Sequence, residues 1–301
     1  RLTDVTGVQT CALPILRYGI PRYRLPDEAL DRDIEVIQSL GVEIKCNITV
    51  GKALSLNELE RNYDAVFLGT GFNKGRGTGV KGTDRDGVLL ATPLLEKISD
   101  FMRGESQEEP VIPDSLIVIG GGNVAMDVAR SVARLQRMNG KPVDVKVTSL
   151  ESLDEMPADL DEIVEGKDEG IKYFPSRGPK EILFEENRVI GLKTVACSEV
   201  FDEDGRFNPK FDESDERIIS GSMVVEAIGQ APDYDYLPDQ LKEKLVFVRG
   251  RIMVNEKGQT DLPWLFAGGD IVNGPDIIHG VADGHRAAIG IDEYLSSGVE
   301  K

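Results

Sequence analysis

Hydrophobic positions along the chain alternate between short continuous runs and helical periodicities, which is the pattern of β-α-β structure with parallel strands. One predicted helix begins after Pro26 and ends at Gly41. Its apolar residues share one face of the helix: Leu30, Ile34, Ile37 and Leu40. Residues 65–68, AVFL, are a continuous apolar run followed by Gly-Thr-Gly, which indicates a buried strand and a tight turn. The pattern therefore predicts an α/β protein.

The most informative segment is residues 115–135, SLIVIGGGNVAMDVARSVARL, which predicts a strand, a glycine turn and a helix with a small apolar face. A dinucleotide site requires this order. Gly120 allows the tight turn, Gly122 lets backbone N–H groups approach a pyrophosphate, and the helix N-terminus stabilises its negative charge. Ala125 stands at the third glycine position of the fingerprint, where alanine still permits close helix packing. The alternative is a purely structural glycine turn.

The end of the next predicted strand carries the residue expected to contact the adenosine ribose. This strand covers residues 143–148 and is followed by Ser149-Leu150-Glu151. A carboxylate at this point can accept hydrogen bonds from both ribose hydroxyls and would repel a 2′-phosphate. Glu151 therefore predicts NADH in preference to NADPH. The alternative is that Glu151, or the nearby Asp154, is a solvated loop acid.

Two further segments have the same strand-turn order with weaker signals. Residues 264–295 predict an apolar strand, a Gly-Gly-Asp turn and a helix from about Ile277. Asp270 can bind the hydroxyls of a sugar-like chain, and the helix N-terminus can face the electron-rich edge of a flavin ring. Taken alone, Asp270 is better explained as an N-cap or turn aspartate. Residues 223–233 are a strand that runs into a glycine turn and indicate no function by themselves.

Composition narrows the functional classes. The 301 residues suggest about two domains. The net charge of -18 would repel phosphate backbones, which argues against nucleic acid as a partner. No apolar run approaches the ~20 residues that span a bilayer, so the chain predicts no membrane insertion. Neither Cys46 nor Cys197 belongs to a CxxC motif, which excludes a redox dithiol or a metal knuckle, and isolated cysteines indicate a reducing cytoplasm.

The first fifteen residues differ from everything that follows. Residues 5–15, VTGVQTCALPI, are identified as the translation of a common sequencing-library adapter. An apolar strand or a secretion signal is the alternative, but no basic region leads into an apolar run, and Gln9 and Thr10 interrupt it. We therefore expect residues 1–15 to be non-native and poorly packed, Cys11 to have no function, and the natural gene to be cut just before Leu16.

Several motifs together resemble the flavoproteins that have two dinucleotide-binding domains, in particular the small subunit of glutamate synthase and related NAD(P)H oxidoreductases. The motifs occur in the family's order: LRYGIPRYRLP at 16–26, YDAVFLGTG at 63–71, GGGNVAMDVAR at 120–130, EMPA at 155–158, EAIGQAPD at 226–233 and FAGGD at 266–270. The resemblance implies two Rossmann-like domains, with a nicotinamide domain inserted into an incomplete FAD domain. We expect the FAD domain at 16–108 and 249–301, the nicotinamide domain at 109–248, and an interdomain connection at 104–114.

The resemblance also implies which residues bind the cofactors. FAD would be bound by Gly69, Thr70, Gly71, Gly269, Asp270 and Ile277, with Tyr18, Gly19 and Ile20 along the flavin. NAD(P)H would be bound by Gly120, Gly122, Asn123, Val124 and Ala125, with Gly229 and Gln230 near the nicotinamide half. Hydride would pass from the nicotinamide to the flavin, and single electrons would then pass to iron-sulfur clusters in the upstream region or in a larger partner subunit. Because the cofactors carry this chemistry, no acid, base or nucleophile is predicted.

Three departures from the family pattern limit what the resemblance implies. Leu150-Glu151 stand where the family typically has Arg-Arg, which strengthens the NADH prediction. The loop at residues 275–277 is one residue shorter than usual. The family's first FAD-binding GxGxxG and its cysteine-rich iron-sulfur domain both lie upstream of LRYGIP.

Two alternatives stay open. One is a truncated, non-catalytic nucleotide-binding fragment, in which the missing strand and helix would leave a sheet edge unpaired and an apolar face uncovered. The other is an enzyme like thioredoxin reductase. That enzyme would need a CxxC beside the nicotinamide site, and the sequence contains none.

Overall fold

A computed structural model describes residues 6–7 and 15–298 and divides them into two compact units. Unit 2 contains Arg17–Leu25 and Gly75–Gly229. Unit 1 contains the remaining described residues, so it is formed by chain segments on both sides of unit 2.

The helices within the described residues are labelled in chain order. They are α1 (Asp27–Ser39), α2 (Leu56–Asn62), α3 (Ala91–Arg103), α4 (Asn123–Met138), α5 (Leu160–Asp168), α6 (Asp239–Lys242) and α7 (Ile277–Ser296). A π-helical turn covers Ile15–Gly19, and a 3-10 turn covers Gly269–Ile271.

The strands within the described residues are labelled in the same way. They are β1 (Thr6–Gly7), β2 (Glu43–Ile44), β3 (Val66–Leu68), β4 (Lys74–Gly75), β5 (Val88–Leu90), β6 (Leu116–Ile119), β7 (Val145–Thr148), β8 (Lys172–Phe174), β9 (Arg177–Glu185), β10 (Arg188–Phe201), β11 (Phe207–Ser220), β12 (Met223–Glu226), β13 (Gln230–Ala231), β14 (Phe247–Val248), β15 (Arg251–Ile252) and β16 (Leu265–Ala267).

Unit 2 is built on a five-stranded sheet in which every neighbouring pair is parallel, in the order β5-β12-β6-β7-β8. Every residue of β6 is buried, because a central parallel strand is covered on both faces. Ala125, Ala129 and Ala133 place the apolar side of α4 in the same core, and their small side chains allow the helix to lie close to the sheet. A second sheet in unit 2 is antiparallel, in the order β11-β10-β9. The predicted α/β class is confirmed.

Unit 1 contains the parallel pair β3 and β16. Its core is apolar and includes Leu56, Trp264 and Ile271. The helix α2 begins with a capping box, in which the side chain of Ser55 accepts a hydrogen bond from Glu58 N–H and the Glu58 carboxylate accepts one from Ser55 N–H. These contacts satisfy backbone donors that a helix start otherwise leaves unpaired.

The predicted helix after Pro26 is present as α1, but its apolar face is largely exposed. Leu30 is buried, whereas Ile37 is 46% and Leu40 is 79% exposed. The hydrophobic periodicity identified the helix correctly, yet the described residues cover only one end of its apolar face.

The unit boundaries differ from the predicted ones at 108/109 and 248/249. Residues 75–108 belong to unit 2, because β5 extends its parallel sheet beside β12 and α3 packs against α4. Residues 230–248 belong to unit 1, because Leu237, Leu241 and Leu245 lie in its core. Residues 104–114 therefore connect α3 to β6 inside unit 2 and are not an interdomain connection. Composition alone could not show this, since a polar loop looks the same within a domain as between domains.

The segment predicted to be non-native, residues 1–15, lies outside the described residues except at Thr6–Gly7 and Ile15. The backbone of β1 pairs in parallel with β2. Among residues 15–298, no helix combines the length and the apolar character needed to cross a membrane.

Candidate functional site

The predicted nucleotide turn lies at the carboxyl edge of the unit 2 sheet, between two neighbouring strands. Its strand, β6, pairs in parallel with β12 on one side and with β7 on the other. Gly120–Gly122, Ala227–Gly229 and Ser149–Glu151 therefore leave the sheet at the same edge. Ligands of parallel α/β sheets bind at this edge.

Gly120 and Gly122 occupy the turn for different structural reasons. Gly120 adopts φ +141, and a Cβ at this residue would lie only 2.3 Å from the carbonyl oxygen of Ala227. Gly120 is therefore required by the fold, through the close approach of β6 and β12. A Cβ at Gly122 would meet no atom within 4 Å, and its φ of -93 is one that any residue adopts. The space above Gly122 is open, as the approach of a pyrophosphate requires.

The residues after the turn begin α4 and differ in exposure. The Asn123 amide donates to the Asp159 carboxylate at 3.0 Å, and its carbonyl oxygen accepts from Asp159 N–H at 2.8 Å. Val124 is partly exposed, whereas Ala125 is fully buried against the sheet. The side chains of Asn123 and Ala125 are thus engaged within the protein, so any contact of theirs to a nucleotide would come from the backbone.

Glu151 lies directly beside the glycine turn. Its carboxylate oxygen Oε2 is 2.9 Å from the position that a Cβ of Gly121 would take. Its backbone carbonyl accepts hydrogen bonds from Ser176 N–H at 2.8 Å and from the Ser149 hydroxyl at 2.9 Å. These bonds fix the backbone of Glu151 while its carboxylate reaches the turn, the position from which a ribose contact is expected.

The third strand end is held by a buried carboxylate that the sequence analysis missed. Glu226 closes β12 and accepts hydrogen bonds from Thr78 N–H at 2.8 Å and from the Thr83 hydroxyl at 2.7 Å. Gly229 follows with φ +102, and its carbonyl accepts from Arg76 N–H at 3.0 Å. Glu226 thereby ties the loop after β4 to the strand that leads to Gly229. An acid at the end of a fully buried strand was the available signal.

The predicted flavin residues of unit 1 are brought together by β3 and β16. Because these strands are parallel neighbours, Gly69–Gly71 and Gly268–Asp270 leave the sheet side by side. A Cβ at Gly71 would lie 3.6 Å from the Asp270 carboxylate, and Phe72 N–H donates to that carboxylate. Burial raises the pKa of Asp270 above its ordinary value, although these N–H donors oppose the shift.

The N-terminus of α7 follows the Gly-Gly-Asp turn. Asp276 is its N-cap and accepts from Ile278 N–H at 2.7 Å and from His279 N–H at 3.1 Å. Ile277, predicted to contact the pyrimidine edge of the flavin, opens the helix with an exposed side chain. Its position agrees with the predicted helix start, while the flavin contact stays a prediction.

Tyr18 lies in unit 2 against α3. Its carbonyl accepts from the Ser99 hydroxyl at 2.9 Å, its ring lies under the guanidinium of Arg103, and its hydroxyl donates to Glu105 at 3.2 Å. Gly19 and Ile20 continue the same segment. Sequence reasoning placed these three residues along the flavin, and it missed the packing of Tyr18 on α3.

The end of this segment is attached to α4 and α5 by buried charges that the sequence analysis also missed. The Arg24 guanidinium donates to the Asp127 carboxylate at 3.0 and 3.1 Å and pairs with Glu162 at 3.0 Å. Burial raises the pKa of Asp127 to about 6 even though Arg24 favours its charged form. Arg130, on the next turn of α4, pairs with carboxylates of α5. No spacing rule links residue 24 to residue 127, so this cluster could not be predicted from the sequence.

Taken separately, the two units offer the same chemical environment. Each presents a glycine turn, backbone N–H groups and a carboxylate at the end of parallel strands, which suits a dinucleotide's pyrophosphate and sugar hydroxyls. No group of three or more His, Cys, Asp or Glu side chains within the described residues is arranged to hold a metal ion.

Comparison with known proteins gives a consistent result. Residues 13–284 match the family described as pyridine nucleotide-disulphide oxidoreductase. The chain is 36% identical over 296 residues to the NADP(+)-dependent formate dehydrogenase subunit beta of Moorella thermoacetica, covering 95% of this chain and 40% of that one. It is 32% identical over 299 residues to the glutamate synthase [NADPH] small chain of Escherichia coli, covering 93% of this chain and 61% of that one. The chain therefore spans about half the length of these relatives.

The fold matches a solved structure, Mycobacterium tuberculosis FprA in complex with NADPH. The TM-score is 0.79 at 18% identity, and the match covers 98% of this chain and 78% of that one. This likeness confirms the predicted α/β fold class with two Rossmann-like units.

Proposed function

The chain belongs to the pyridine nucleotide-disulphide oxidoreductase family, and from this premise we propose that it transfers hydride from NAD(P)H to FAD. The observation that carries the proposal is the open space above Gly122, in the turn that follows the buried strand β6. Gly120, in the same turn, is required by the fold. A structural glycine turn explains Gly120 but gives no reason for Gly122.

The residues of this chain bind and orient the cofactors. Gly120–Gly122 and the N-terminus of α4 hold the pyrophosphate of NAD(P)H, with Asn123, Val124 and Ala125 contributing backbone, and Gly229 and Gln230 border its nicotinamide half. Gly69–Gly71, Gly269, Asp270 and Ile277 hold FAD, and Tyr18, Gly19 and Ile20 lie along the flavin. When bound, FAD accepts a hydride and can release the two electrons singly.

We further propose that the electrons leave to iron-sulfur clusters in a larger partner subunit or in an upstream segment. The names of both relatives support a partner subunit, since each names one subunit or chain of a larger enzyme. The resemblance of motifs such as EAIGQAPD and FAGGD to the family also supports the proposed transfer of electrons to iron-sulfur clusters.

The first test is the colour of the purified protein. We expect a flavin absorbance band that NADH or NADPH bleaches without oxygen, because hydride transfer reduces the flavin. A colourless protein that still binds NADH would contradict the oxidoreductase proposal for this chain. That result would support the second candidate, a non-catalytic nucleotide-binding fragment.

One observation favours this second candidate. Within the described residues β3 belongs to a two-stranded parallel sheet with β16, and the other edge of β3 is unpaired. Parallel sheets are normally covered and larger, so unit 1 offers FAD less framework than unit 2 offers NAD(P)H. The flavin measurement therefore discriminates between the two candidates.

The proposed preference for NADH is tested by Glu151→Arg. The names of both relatives carry NADP(H), so this proposal depends on Glu151, whose carboxylate beside Gly121 would repel a 2′-phosphate. We expect the variant to shift the ratio of dissociation constants about tenfold toward NADPH, since an arginine can pair with that phosphate. Titration of both nucleotides measures the ratio.

Asp154→Arg is the matched control, because it makes the same charge change at an exposed position three residues away. An equal shift in both variants would indicate a general electrostatic effect. A wild-type chain that prefers NADPH would show that our interpretation of Glu151 is wrong.

A further inference from the structure

Asp283 is a buried acid on α7 and is not among the residues predicted to contact a cofactor. It is 3% exposed, whereas Ile278 and Val281 of the same helix are 78% and 58% exposed. Burying a charge costs free energy unless the charge is paired and hydrogen-bonded. The contacts of Asp283 must therefore account for its position.

The carboxylate of Asp283 is bonded to the Gly-Gly-Asp turn and to the loop that follows it. Oδ2 accepts a hydrogen bond from Gly269 N–H at 2.8 Å, and both oxygens accept from the Asn273 amide at 2.8 Å. Arg286, one helical turn further on, pairs with Oδ1 at 3.3 Å. The negative charge is thus compensated by a cation and shared among donors, two of which belong to residues 269–273.

The backbone of the turn is shaped to this contact. A Cβ at Gly268 would lie 2.7 Å from the Cβ of Asp283, so no side chain fits at that position. Gly269 adopts φ +70, the left-handed region that glycine tolerates. Its N–H consequently points to α7, and Asp270 follows immediately with its carboxylate beside Gly71.

We propose that Asp283 is a positioning residue that fixes the conformation of Gly268–Asp270 and thereby the affinity of unit 1 for FAD. This inference depends on the proposed function, because it assigns Asp283 to the flavin half of that function. Asp283 lies behind the turn and acts through Gly269 and Asn273, not through contact with the cofactor.

Two substitutions separate the hydrogen bond from the packing. Asp283→Leu has a similar size but no acceptor, so Gly269 N–H loses its partner. Asp283→Asn keeps an oxygen that can accept from Gly269 N–H. We expect FAD to bind the folded leucine variant about tenfold more weakly than wild type, and the asparagine variant within about twofold. Quenching of FAD fluorescence measures these affinities, and NADH binding should not change in either variant.

Hydrogen exchange of the Gly269 amide in the absence of FAD reports on the turn directly. We expect protection in wild type and Asp283→Asn and its loss in Asp283→Leu. Asp292→Leu makes the same chemical change at an exposed position of α7 and should resemble wild type in both measurements.

The outcomes distinguish this inference from the proposed function. Equal FAD affinity in wild type and Asp283→Leu, or an equally protected Gly269 amide, would overturn the role of Asp283 alone. Such a result with a lower melting temperature would mean that Asp283 only stabilises unit 1. Failure of the wild-type chain to bind FAD would overturn the flavin part of the proposed function and, with it, this role.

Discussion

Gly122→Ala is expected to weaken the binding of NADH and NADPH about 100-fold while leaving unit 2 folded. The added methyl group has no protein atom within 4 Å, so it occupies only the open space above the turn. A pyrophosphate would be held away from the backbone N–H groups at the start of α4, and each charge-assisted hydrogen bond contributes about 1.5–3 kcal/mol. Loss of about 2.8 kcal/mol corresponds to the 100-fold change. Isothermal titration calorimetry measures it, and circular dichroism checks the fold.

Gly120→Ala is the contrasting variant within the same turn. Its methyl group would lie 2.3 Å from the carbonyl oxygen of Ala227 and would force an L-residue to φ +141. We expect this variant to unfold at a lower temperature or to aggregate, because β6 and β12 cannot stay in register around it. If the folded Gly122→Ala variant binds both nucleotides as tightly as wild type, this turn does not bind the pyrophosphate.

The strand, glycine turn and helix of residues 115–135 could be predicted from the sequence because their signal is local. A buried parallel strand is a continuous apolar run, and the glycine turn and small-residue helix follow within 21 residues, 115–135. The positions of Gly120, Gly122 and Ala125 follow from that short segment. The same holds for β3 with Gly69–Gly71 and for β16 with Gly269.

The buried charges that hold β12 and the 17–25 segment in place could not be predicted, because their partners are distant in sequence. Glu226 pairs with Thr78 and Thr83, and Arg24 pairs with Asp127, across roughly one hundred residues or more. Nothing in the spacing of one segment specifies such contacts. The burial of an acid or arginine is a property of the folded state, and in sequence these residues look like the solvated charges that they usually are.

The unit boundaries differ from the predicted domain boundaries for a related reason. The sequence of residues 88–103 is compatible with a strand and a helix in either unit. The pairing of β5 with β12 assigns these residues to unit 2. Parallel strands that are adjacent in a sheet need not be adjacent in sequence. Periodicity therefore finds the elements, whereas the membership of each element depends on long-range pairing.

A large loss of stability is also expected from Arg130→Leu. The Arg130 side chain is 1% exposed and pairs with Glu162, Glu165 and Glu169 of unit 2, the last at 3.0 Å. Its guanidinium also lies over the ring of Tyr23 in the segment that precedes α1. Removing one partner of a buried ion pair costs about 3–5 kcal/mol, because the remaining charges stay buried without compensation. We expect the melting transition of unit 2 to fall by roughly 10 °C, measured by calorimetry.

The stability loss in Arg130→Leu should depend on pH, whereas a loss of packing alone would not. Pairing with Arg130 and Arg134 holds the pKa of Glu169 below its ordinary value of 4.5, despite the opposing effect of burial. A lowered pKa contributes stability above the ordinary value, and this stability is lost as pH falls through the folded pKa. The difference between wild type and Arg130→Leu should therefore be largest near pH 7 and smaller at about pH 4, which lies below the ordinary pKa of Glu169. Arg137→Leu replaces an exposed arginine of α4 that donates to the carbonyl of Glu169, and it should change stability by less than about 1 kcal/mol at either pH. A loss in Arg130→Leu that is equally large at both pH values would show that the methylenes of Arg130, and not its charge, stabilise unit 2.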